Sequence, residues 1–199
     1  MEFNKPSSRL LLPDADNVCM PNRASSAGVL LAAGAGTRYG MPKVRAEQGD
    51  WLRRGVAALR GGGCNDVVVV LGAAVVDVPP PARVVIADDW SDGLSASLCA
   101  GLSAIDADYA VLHTVDTPDV GADVVRRVLD SAMSSPSGLA RARYGNRPGH
   151  PVVVPRRLWA ELLASLSGDQ GARPFLAARS DVVAVDCADL ASGHDIDVR

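Results

Sequence analysis

Three glycines and two cations follow a short apolar run in the stretch VLLAAGAGTRYGMPK. Gly34, Gly36 and Gly40 leave backbone N–H groups free to converge on phosphate oxygens, as in an anion-binding nest. Arg38 adds a planar, two-pronged donor, and Lys43 adds a mobile point charge. This order of residue types indicates either a loop that wraps a triphosphate or a strand-to-helix turn with a solvated basic rim.

Two other phosphate-binding loops do not fit the spacing of these glycines. A Walker loop needs Gly-Lys followed by Ser or Thr, whereas Gly40 is followed by Met-Pro-Lys. A dinucleotide loop needs its third glycine where Tyr39 stands, and Pro42 prevents a helix from starting there. Because open α/β sheets bind ligands at the carboxyl ends of their strands, the loop predicts a binding site at that edge.

The elements that would position this loop alternate between buried strands and amphipathic helices. After the strand that begins at Gly28, short apolar and β-branched runs predict strands at 67–71, 83–87, 109–115 and 151–154, with a more alternating edge strand at 181–186. Helical spacing predicts helices from the N-cap Asp50 to the glycines 61–63 and at 95–105, 123–133 and 156–166. The alternation predicts an α/β fold with a mostly parallel sheet covered on both faces.

Composition favours one globular domain and small-molecule chemistry. A chain of 199 residues, 48% of them hydrophobic, suffices for one substantial domain and is short for two. Residues 1–26 have few periodic apolar positions, so we expect an extension, disordered or lying on the surface, before a domain at 27–199. A net charge of −3 attracts neither nucleic acid nor an anionic membrane, so phosphate chemistry must depend on a few placed cations.

The cysteines and the apolar runs predict a cytoplasmic protein. Four widely spaced cysteines without a C-x-x-C pair argue against a zinc knuckle and suit a reducing compartment. No stretch approaches the ~20 apolar residues of a membrane span. The apolar run at 10–12 is too brief for the core of a signal peptide.

The whole glycine stretch closely resembles the signature L-A-A-G-x-G-x-R-x-G-x-P-K of the MobA-like NTP transferases, a family that includes the molybdenum cofactor cytidylyl- and guanylyltransferases. Five further segments resemble the family in the same order, spread as far as residue 198: DDWSDGLSASLCAGLSAI, VLHTVDTPDV, NRPGHPVVVPRRLW, SGDQGARPFL and DCADLASGHDIDV. Six ordered matches are much more specific than one motif. They favour the cytidylyltransferase, or MocA-like, branch.

The resemblance implies a Rossmann-like, three-layer α/β/α fold and Mg²⁺-dependent nucleotidyl transfer. A CMP group, or less favourably a GMP group, would pass from a nucleoside triphosphate to a phosphorylated pterin of molybdopterin type, with release of pyrophosphate. CTP is favoured because the stretch 95–102 resembles the cytidylyl branch. A molybdoenzyme that accepts the product is a further partner, whereas nucleic acid and membrane are not.

The resemblance also implies roles for particular residues. The triphosphate would be bound by Leu31, Ala32, Ala33, Gly34, Gly36, Arg38 and Lys43, and the base by Ser95 and Ser97. The metal would be bound by Asp116, Asp195 and Asp197, and the acceptor by His150, Asp169 and Arg173. Arg38, Lys43 and Asp116 would act directly in catalysis. Hard carboxylate oxygens suit Mg²⁺, which usually takes one or two carboxylates together with substrate phosphates.

Each assignment has a structural alternative. Ser95 and Ser97 can open a helix as local hydrogen bonders. Asp116 can cap the next helix, although Asp119 is better placed to do so, and the acids around Ile196 can belong to a frayed tail. His150 can be a packing residue, and the segment SGDQGAR can be a helix capped by its Asp with a solvated Arg. His113, in the middle of a predicted strand, is expected in the core.

Two departures from the family pattern favour competing functions. The family has an apolar strand where this chain reads VRAEQGD, and it continues the final acidic motif with Thr-Pro and another acid, where this chain reads Val198-Arg199. A non-catalytic protein that carries the cofactor on a nucleotidyltransferase fold would explain both departures. A sugar-phosphate nucleotidyltransferase is a third possibility, because a looser form of the glycine signature occurs there.

Overall fold

The computed structural model describes Met1 and residues 24–198. The predicted extension at 1–26 therefore lies largely outside the described residues. Its predicted end falls one residue inside the first strand, because Ser26 already pairs with Tyr109 of a neighbouring strand. Of the cysteines, Cys64, Cys99 and Cys187 lie in the described part and are free thiols.

Strands and helices alternate along most of the described chain. The strands are β1 (Ser26–Leu31), β2 (Asp66–Leu71), β3 (Arg83–Ile86), β4 (Tyr109–Thr114), β5 (Ala140–Tyr144), β6 (Arg147–Pro155) and β7 (Val183–Asp186). The α-helices are α1 (Asp50–Gly61), α2 (Leu94–Ser103), α3 (Ala122–Ser134), α4 (Trp159–Ser165) and α5 (Arg173–Ala177). Two 3-10 segments, Lys43–Gly49 and Gly168–Gln170, border the site described below.

The strands form one sheet in the order β3-β2-β1-β4-β6-β5-β7. All neighbouring pairs are parallel except the two that involve β6, which runs antiparallel to β4 and β5. This arrangement confirms the predicted α/β fold with a mostly parallel sheet. β1 lies between β2 and β4, so its carboxyl end is flanked on both sides by parallel strand ends.

Successive residues of β1 belong to different cores, which explains why the strand is apolar throughout. Leu30 lies in the core that packs against α1 and α3, for example against Leu59. Val29 and Leu31 lie in the core that packs against α2, α4 and α5, for example against Leu98. Side chains alternate between the faces of a strand, so a sheet covered on both faces needs apolar residues at every position. The result is the expected three-layer α/β/α architecture.

Three local predictions were wrong or incomplete. β5 was missed because its sequence ARARY places arginines between buried residues, so it has no apolar run. The 156–166 helix is divided into a 3-10 turn and the shorter α4. Asp50 does not cap α1: Gly49 precedes the helix in a left-handed conformation, and Asp50 instead pairs with Arg54 one turn later, at 2.6 Å. None of these differences moves the carboxyl ends of β1 and β4.

Within the described part of the chain, no helix combines the length and the apolar character that crossing a bilayer requires.

Candidate active site

A cavity of about 670 Å³ opens at the carboxyl ends of β1 and β4. Its lining comes from the glycine loop, the start of α2, the end of β4, strand β6 and residues 191–198, which we call the terminal segment. The sequence-predicted site residues in its lining are Leu31, Ala32, Ala33, Gly34, Gly36, Arg38, Lys43, Ser97, Asp116, His150, Asp169, Arg173, Asp195 and Asp197. Ser95 lies outside this lining, and its hydroxyl oxygen is buried without a hydrogen-bond partner among the described residues.

The glycine loop closes on itself between Gly36 and Gly40. The Gly40 N–H donates to the Gly36 carbonyl oxygen at 2.9 Å, and both residues have positive φ angles, 61° and 88°. A Cβ at position 36 would lie 2.0 Å from the carbonyl oxygen of Met41, so only glycine fits there. At Gly34, in contrast, a Cβ would meet open space. The loop is therefore tightly closed at its base and open where it lines the cavity.

Tyr39 anchors the loop to the core, a contact that the sequence analysis did not predict. Its side chain is buried, and its ring centroid lies 5.3 Å from that of Trp51 on α1. Aromatic pairs at this separation contribute packing energy beyond the burial of their area. The residue that breaks the dinucleotide pattern thus fixes the loop to the first helix.

Lys43 lies at the centre of an ionic cluster. Its ammonium donates to Asp116 Oδ2 at 3.0 Å and to Asp197 Oδ1 at 2.7 Å. Burial alone would lower the pKa of Lys43, but the hydrogen bond to Asp197 and the charge of Asp116 together raise this pKa above its usual value. Arg38 Nη1 lies 3.2 Å from the other oxygen of Asp197. The hydrogen bond from Lys43 lowers the pKa of Asp197.

The unusual segment after Lys43 is an ordered turn and not a strand. Val44 and Ala46 are buried in the core, whereas Glu47 and Gln48 have φ angles of 46° and 54°. Non-glycine residues rarely adopt this left-handed region, which costs conformational energy unless the surrounding packing enforces it. The segment therefore retains two apolar anchors and holds Lys43 at the edge of the cavity.

Asp116 lies two residues after the end of β4, and one of its two carboxylate oxygens lacks a hydrogen-bond partner among the described residues. Its Oδ2 accepts the bond from Lys43, but its Oδ1 is buried without a hydrogen-bond partner among the described residues. The Ile196 N–H donates to the Asp116 carbonyl oxygen at 3.0 Å, which brings the terminal segment to the end of β4. Ile196 packs against the core, while its neighbours Asp195 and Asp197 line the cavity.

Asp119 holds the terminal segment and does not cap α3, whose N-cap is Gly121. Its Oδ2 accepts bonds from the N–H and the hydroxyl of Ser192, both at 2.7 Å, and from the N–H of Gly193 at 3.2 Å. Although burial would raise the pKa of Asp119, these bonds outweigh it and lower the pKa below its usual value. Asp119 therefore fixes the chain just before the acidic pair.

The carboxylates suit a divalent cation that arrives with substrate phosphates. Burial and the charge of Asp116 raise the pKa of Asp195, which shows that negative charge is crowded here. Within the part of the chain that the structure describes, no three His, Cys, Asp or Glu side chains form a ready metal cluster. The unsatisfied Oδ1 of Asp116 fits a hard metal ion, and Mg²⁺ usually completes its shell with phosphates and water.

Tyr144 connects strand β6 at His150 with the terminal segment, a contact that the sequence analysis also missed. Its hydroxyl donates to the His150 carbonyl oxygen at 2.7 Å. A Cβ at Gly149 or Gly193 would lie 2.7 Å or 2.1 Å from the Tyr144 ring, so both glycines are needed for this close approach. Burial lowers the pKa of His150, so its imidazole meets a ligand as a neutral donor or acceptor.

The segment SGDQGAR packs on the start of α2. A Cβ at Gly93 would lie 2.6 Å from Asp169 Oδ1, and one at Gly171 would lie 2.7 Å from Leu94. Asp169 belongs to the 3-10 turn Gly168–Gln170, and the N-cap of α5 is Ala172, so the expectation that Asp169 caps a helix was wrong. The close packing explains how this segment reaches the cavity.

His113 is in the core, as expected, and this position predicts acid sensitivity. It is 1% exposed, and burial, with a smaller contribution from His150, lowers its pKa to about 3. An unfolded histidine titrates near ~6.5, so the unfolded state takes up a proton first as the pH falls. The free energy of unfolding should therefore fall below pH ~6.5 by up to about 1.4 kcal/mol per pH unit, the value for one proton.

We expect His113→Leu to reduce this slope, measured by urea unfolding at several pH values between 7 and 5. The matched control is His194→Leu, because His194 is exposed. Equal slopes in wild type and His113→Leu would contradict the prediction.

Comparisons with known proteins identify the family of the chain. Residues 28–183 match the family model described as MobA-like NTP transferase domain. The chain is 36% identical over 187 residues to nicotine blue oxidoreductase of Paenarthrobacter nicotinovorans, covering 85% of this chain and 91% of that protein.

Two solved structures share the fold. The Rv0371c homologue from Mycobacterium sp. strain JC1 has a TM-score of 0.73 at 29% identity, over 87% of this chain and 90% of that one. A complex of Mycobacterium tuberculosis Rv0371c with manganese has a TM-score of 0.65 at 26% identity, over 86% of this chain and 94% of that one.

Proposed function

Because the chain belongs to the MobA-like NTP transferase family and is a nucleotidyltransferase, we propose that it transfers CMP from CTP to a phosphorylated pterin of molybdopterin type. In this reaction an oxygen of the acceptor phosphate forms a bond to the α-phosphorus of CTP. The bond from that phosphorus to the bridging oxygen breaks, and pyrophosphate leaves with the electron pair. GMP transfer is the less favoured variant.

The observation that carries this proposal is the ionic cluster of Lys43, Arg38, Asp116 and Asp197 in one cavity. Without ligand, these cations and carboxylates neutralise each other. A metal–triphosphate complex carries both charges that the cluster needs. Its phosphates can pair with Lys43 and Arg38, and its metal can bind the carboxylates. A ligand with only one of the two charges would leave part of the cluster uncompensated.

The buried oxygen of Asp116 that has no partner among the described residues fits a bound Mg²⁺. Asp195 and Asp197 of the terminal segment line the same cavity and would join it once the phosphates draw Lys43 and Arg38 away from Asp197. When bound, the metal would neutralise charge on the phosphates that develops in the transition state. The manganese complex of the 26% identical Rv0371c supports a divalent cation in this family.

The remaining residues of the lining are available to the base of the nucleotide and to the acceptor. Ser97, buried at the start of α2, is available to the base, and the preference for CTP comes from the resemblance of this stretch to the cytidylyl branch. His150, Asp169 and Arg173 contribute the wall assigned to the acceptor. Their convergence with the triphosphate loop is what a transfer reaction requires, because reacting groups must be held in line.

The test is a calorimetric titration with CTP and GTP, each with and without Mg²⁺, followed by a pyrophosphate-release assay with a phosphorylated pterin. We expect CTP to bind several-fold more tightly than GTP, and we expect Mg²⁺ to strengthen the binding. Tighter binding of GTP would assign the protein to the guanylyl branch. Tight binding of CTP without pyrophosphate release on any phosphorylated pterin would favour a carrier.

A second candidate function is suggested by the relative named nicotine blue oxidoreductase, at 36% identity. By that analogy the protein would be an oxidoreductase that acts on nicotine blue. The glycine loop argues against a dinucleotide in the usual mode, because Tyr39 stands where the third glycine belongs and is buried against Trp51. Bleaching of nicotine blue with NADH or NADPH, at a rate above that of any pyrophosphate release, would favour this candidate.

A further inference from the structure

Two arginines near the cavity form no ion pair with any described residue. About half of the guanidinium groups in the described part of the chain do form one: Arg83 with Asp66, Arg127 with Asp189, Arg143 with Asp186 and Arg179 with Glu161 and Asp181 are examples. Arg141 and Arg173 have no carboxylate partner among the described residues. Their positive charges are therefore uncompensated by an ion pair.

Arg141 is half-buried on β5, next to the wall of the cavity. Its Nε donates to the carbonyl oxygen of Gly149 at 3.1 Å, and the following residue, His150, lines the cavity. The β5–β6 pairing changes register between Arg141 and Arg143, so the two arginines of this strand are not equivalent in the ladder. One of the five donors of Arg141 thus holds the guanidinium beside His150 of β6.

The positive charges of Arg141 and Arg173 repel each other. Burial lowers the pKa of Arg141, the charge of Arg173 lowers it further, and Asp195 opposes both. Arg173 and Asp195 line the cavity, so the repulsion acts at its wall. Neighbouring guanidinium groups without carboxylate partners favour the entry of an anion, and their planar forks match the oxygens of a phosphate.

This pair is separate from the triphosphate loop. Arg38 and Lys43 are already engaged with Asp197 and Asp116, whereas Arg141 and Arg173 come from β5 and α5. Cationic side chains therefore lie on two sides of the cavity, which suits a reaction between two phosphorylated substrates. Nothing in the sequence pattern had marked Arg141, because its strand was not predicted.

We propose that Arg141, together with Arg173, binds the phosphate monoester dianion of the acceptor and selects phosphorylated acceptors over the corresponding alcohols. This inference rests on the proposed function, since it assigns the acceptor side of the same cavity. Arg141 holds the phosphate by charge-assisted hydrogen bonds, while its own bond to Gly149 fixes the guanidinium relative to His150 of β6. The nucleophilic oxygen of the acceptor is thereby oriented before CTP reacts.

The test uses the full chain saturated with Mg²⁺ and α,β-methylene-CTP, an analogue that cannot release pyrophosphate, and phenyl phosphate as the probe. We expect Arg141→Gln to weaken phenyl phosphate binding by about tenfold, the scale of one charged hydrogen bond, with an unchanged affinity for the analogue. The matched control is Arg143→Gln, which removes the next arginine of the same strand and should leave both affinities unchanged. Phenol should bind wild type and Arg141→Gln equally weakly.

If Arg141→Gln fails to fold, Arg173→Gln tests the proposal, because Arg173 is exposed and its replacement should not disturb the core. This variant should weaken phenyl phosphate binding by a similar factor. The proposal is overturned if wild type does not bind phenyl phosphate, if both variants bind it like wild type, or if Arg141→Gln weakens the CTP analogue equally.

Failure of the proposed function is distinguishable from failure of this inference. If the protein binds no CTP, but binds phenyl phosphate in a manner that depends on Arg141, the function fails and the inference stands. If the protein releases pyrophosphate and Arg141→Gln leaves the KM for the acceptor unchanged, the inference alone fails.

Discussion

The variant Asp116→Asn is expected to release pyrophosphate at least about 100-fold more slowly than wild type, because a bound metal supplies several kcal/mol of transition-state stabilisation. The amide keeps the size of the side chain and can still accept a bond from Lys43, which lies 3.0 Å from the carboxylate. It removes the charge that a metal needs at the buried oxygen. Catalysis should therefore fall much more than CTP affinity, measured as kcat and as Kd on the same preparation.

The matched control for this loss is Asp123→Asn. Asp123 lies in the first turn of α3, exposed and outside the lining of the cavity. Its replacement should leave kcat within about twofold of wild type, since surface substitutions away from such features usually change little. An Asp116→Asn protein that binds CTP and turns over like wild type would show that Asp116 is a structural acid, and the catalytic assignment would be wrong.

The variant Lys43→Ala is expected to weaken CTP binding by about 1.5–3 kcal/mol, a roughly 10- to 150-fold increase in Kd, which is the range for a charged hydrogen bond. CMP should be affected much less, because the ammonium lies in the loop assigned to the β- and γ-phosphates. The variant also releases Asp116 and Asp197 from their shared cation. Isothermal titration with CTP and CMP at one Mg²⁺ concentration measures the difference directly.

Arg45→Ala is the matched control for Lys43→Ala. Arg45 is an exposed cation two residues along the same 3-10 segment and outside the lining of the cavity. Its removal changes the net charge equally, so it separates a placed cation from a general electrostatic effect. If Lys43→Ala weakened CTP and CMP by the same factor, the loop would not distinguish the triphosphate, and the proposed role of Lys43 would be lost.

Much of the fold was predictable because its signals are local. The runs that became β2 and β4 are short, apolar and buried on both faces, and the residues at 50–61 show the apolar spacing of α1. β5 was not predicted because its buried residues alternate with arginines, a pattern that a surface loop also shows. The helix boundaries moved by a few residues because capping depends on local backbone geometry, as Gly49 replaced Asp50 at the start of α1.

The sequence alone determined which functional groups the glycine loop and the acidic pair Asp195 and Asp197 present. The freedom to adopt the positive φ seen at Gly36 and Gly40 is a property of residue type, and the alternation of Asp195, Ile196 and Asp197 is a property of extended chain. These features name the groups available for chemistry. They depend on neighbours within a few residues, so no knowledge of the fold is needed to identify them.

Only the tertiary structure brings these groups into contact with one another. Lys43 contacts Asp197 from 154 positions away, and Asp119 holds Gly193 from 74 positions away. Arg141 enters the site only because β5 lies beside β6 at the position of Gly149. Periodicity specifies which face of an element is buried, but the order of the strands specifies which strand ends meet, and that order is set by packing between distant parts of the chain.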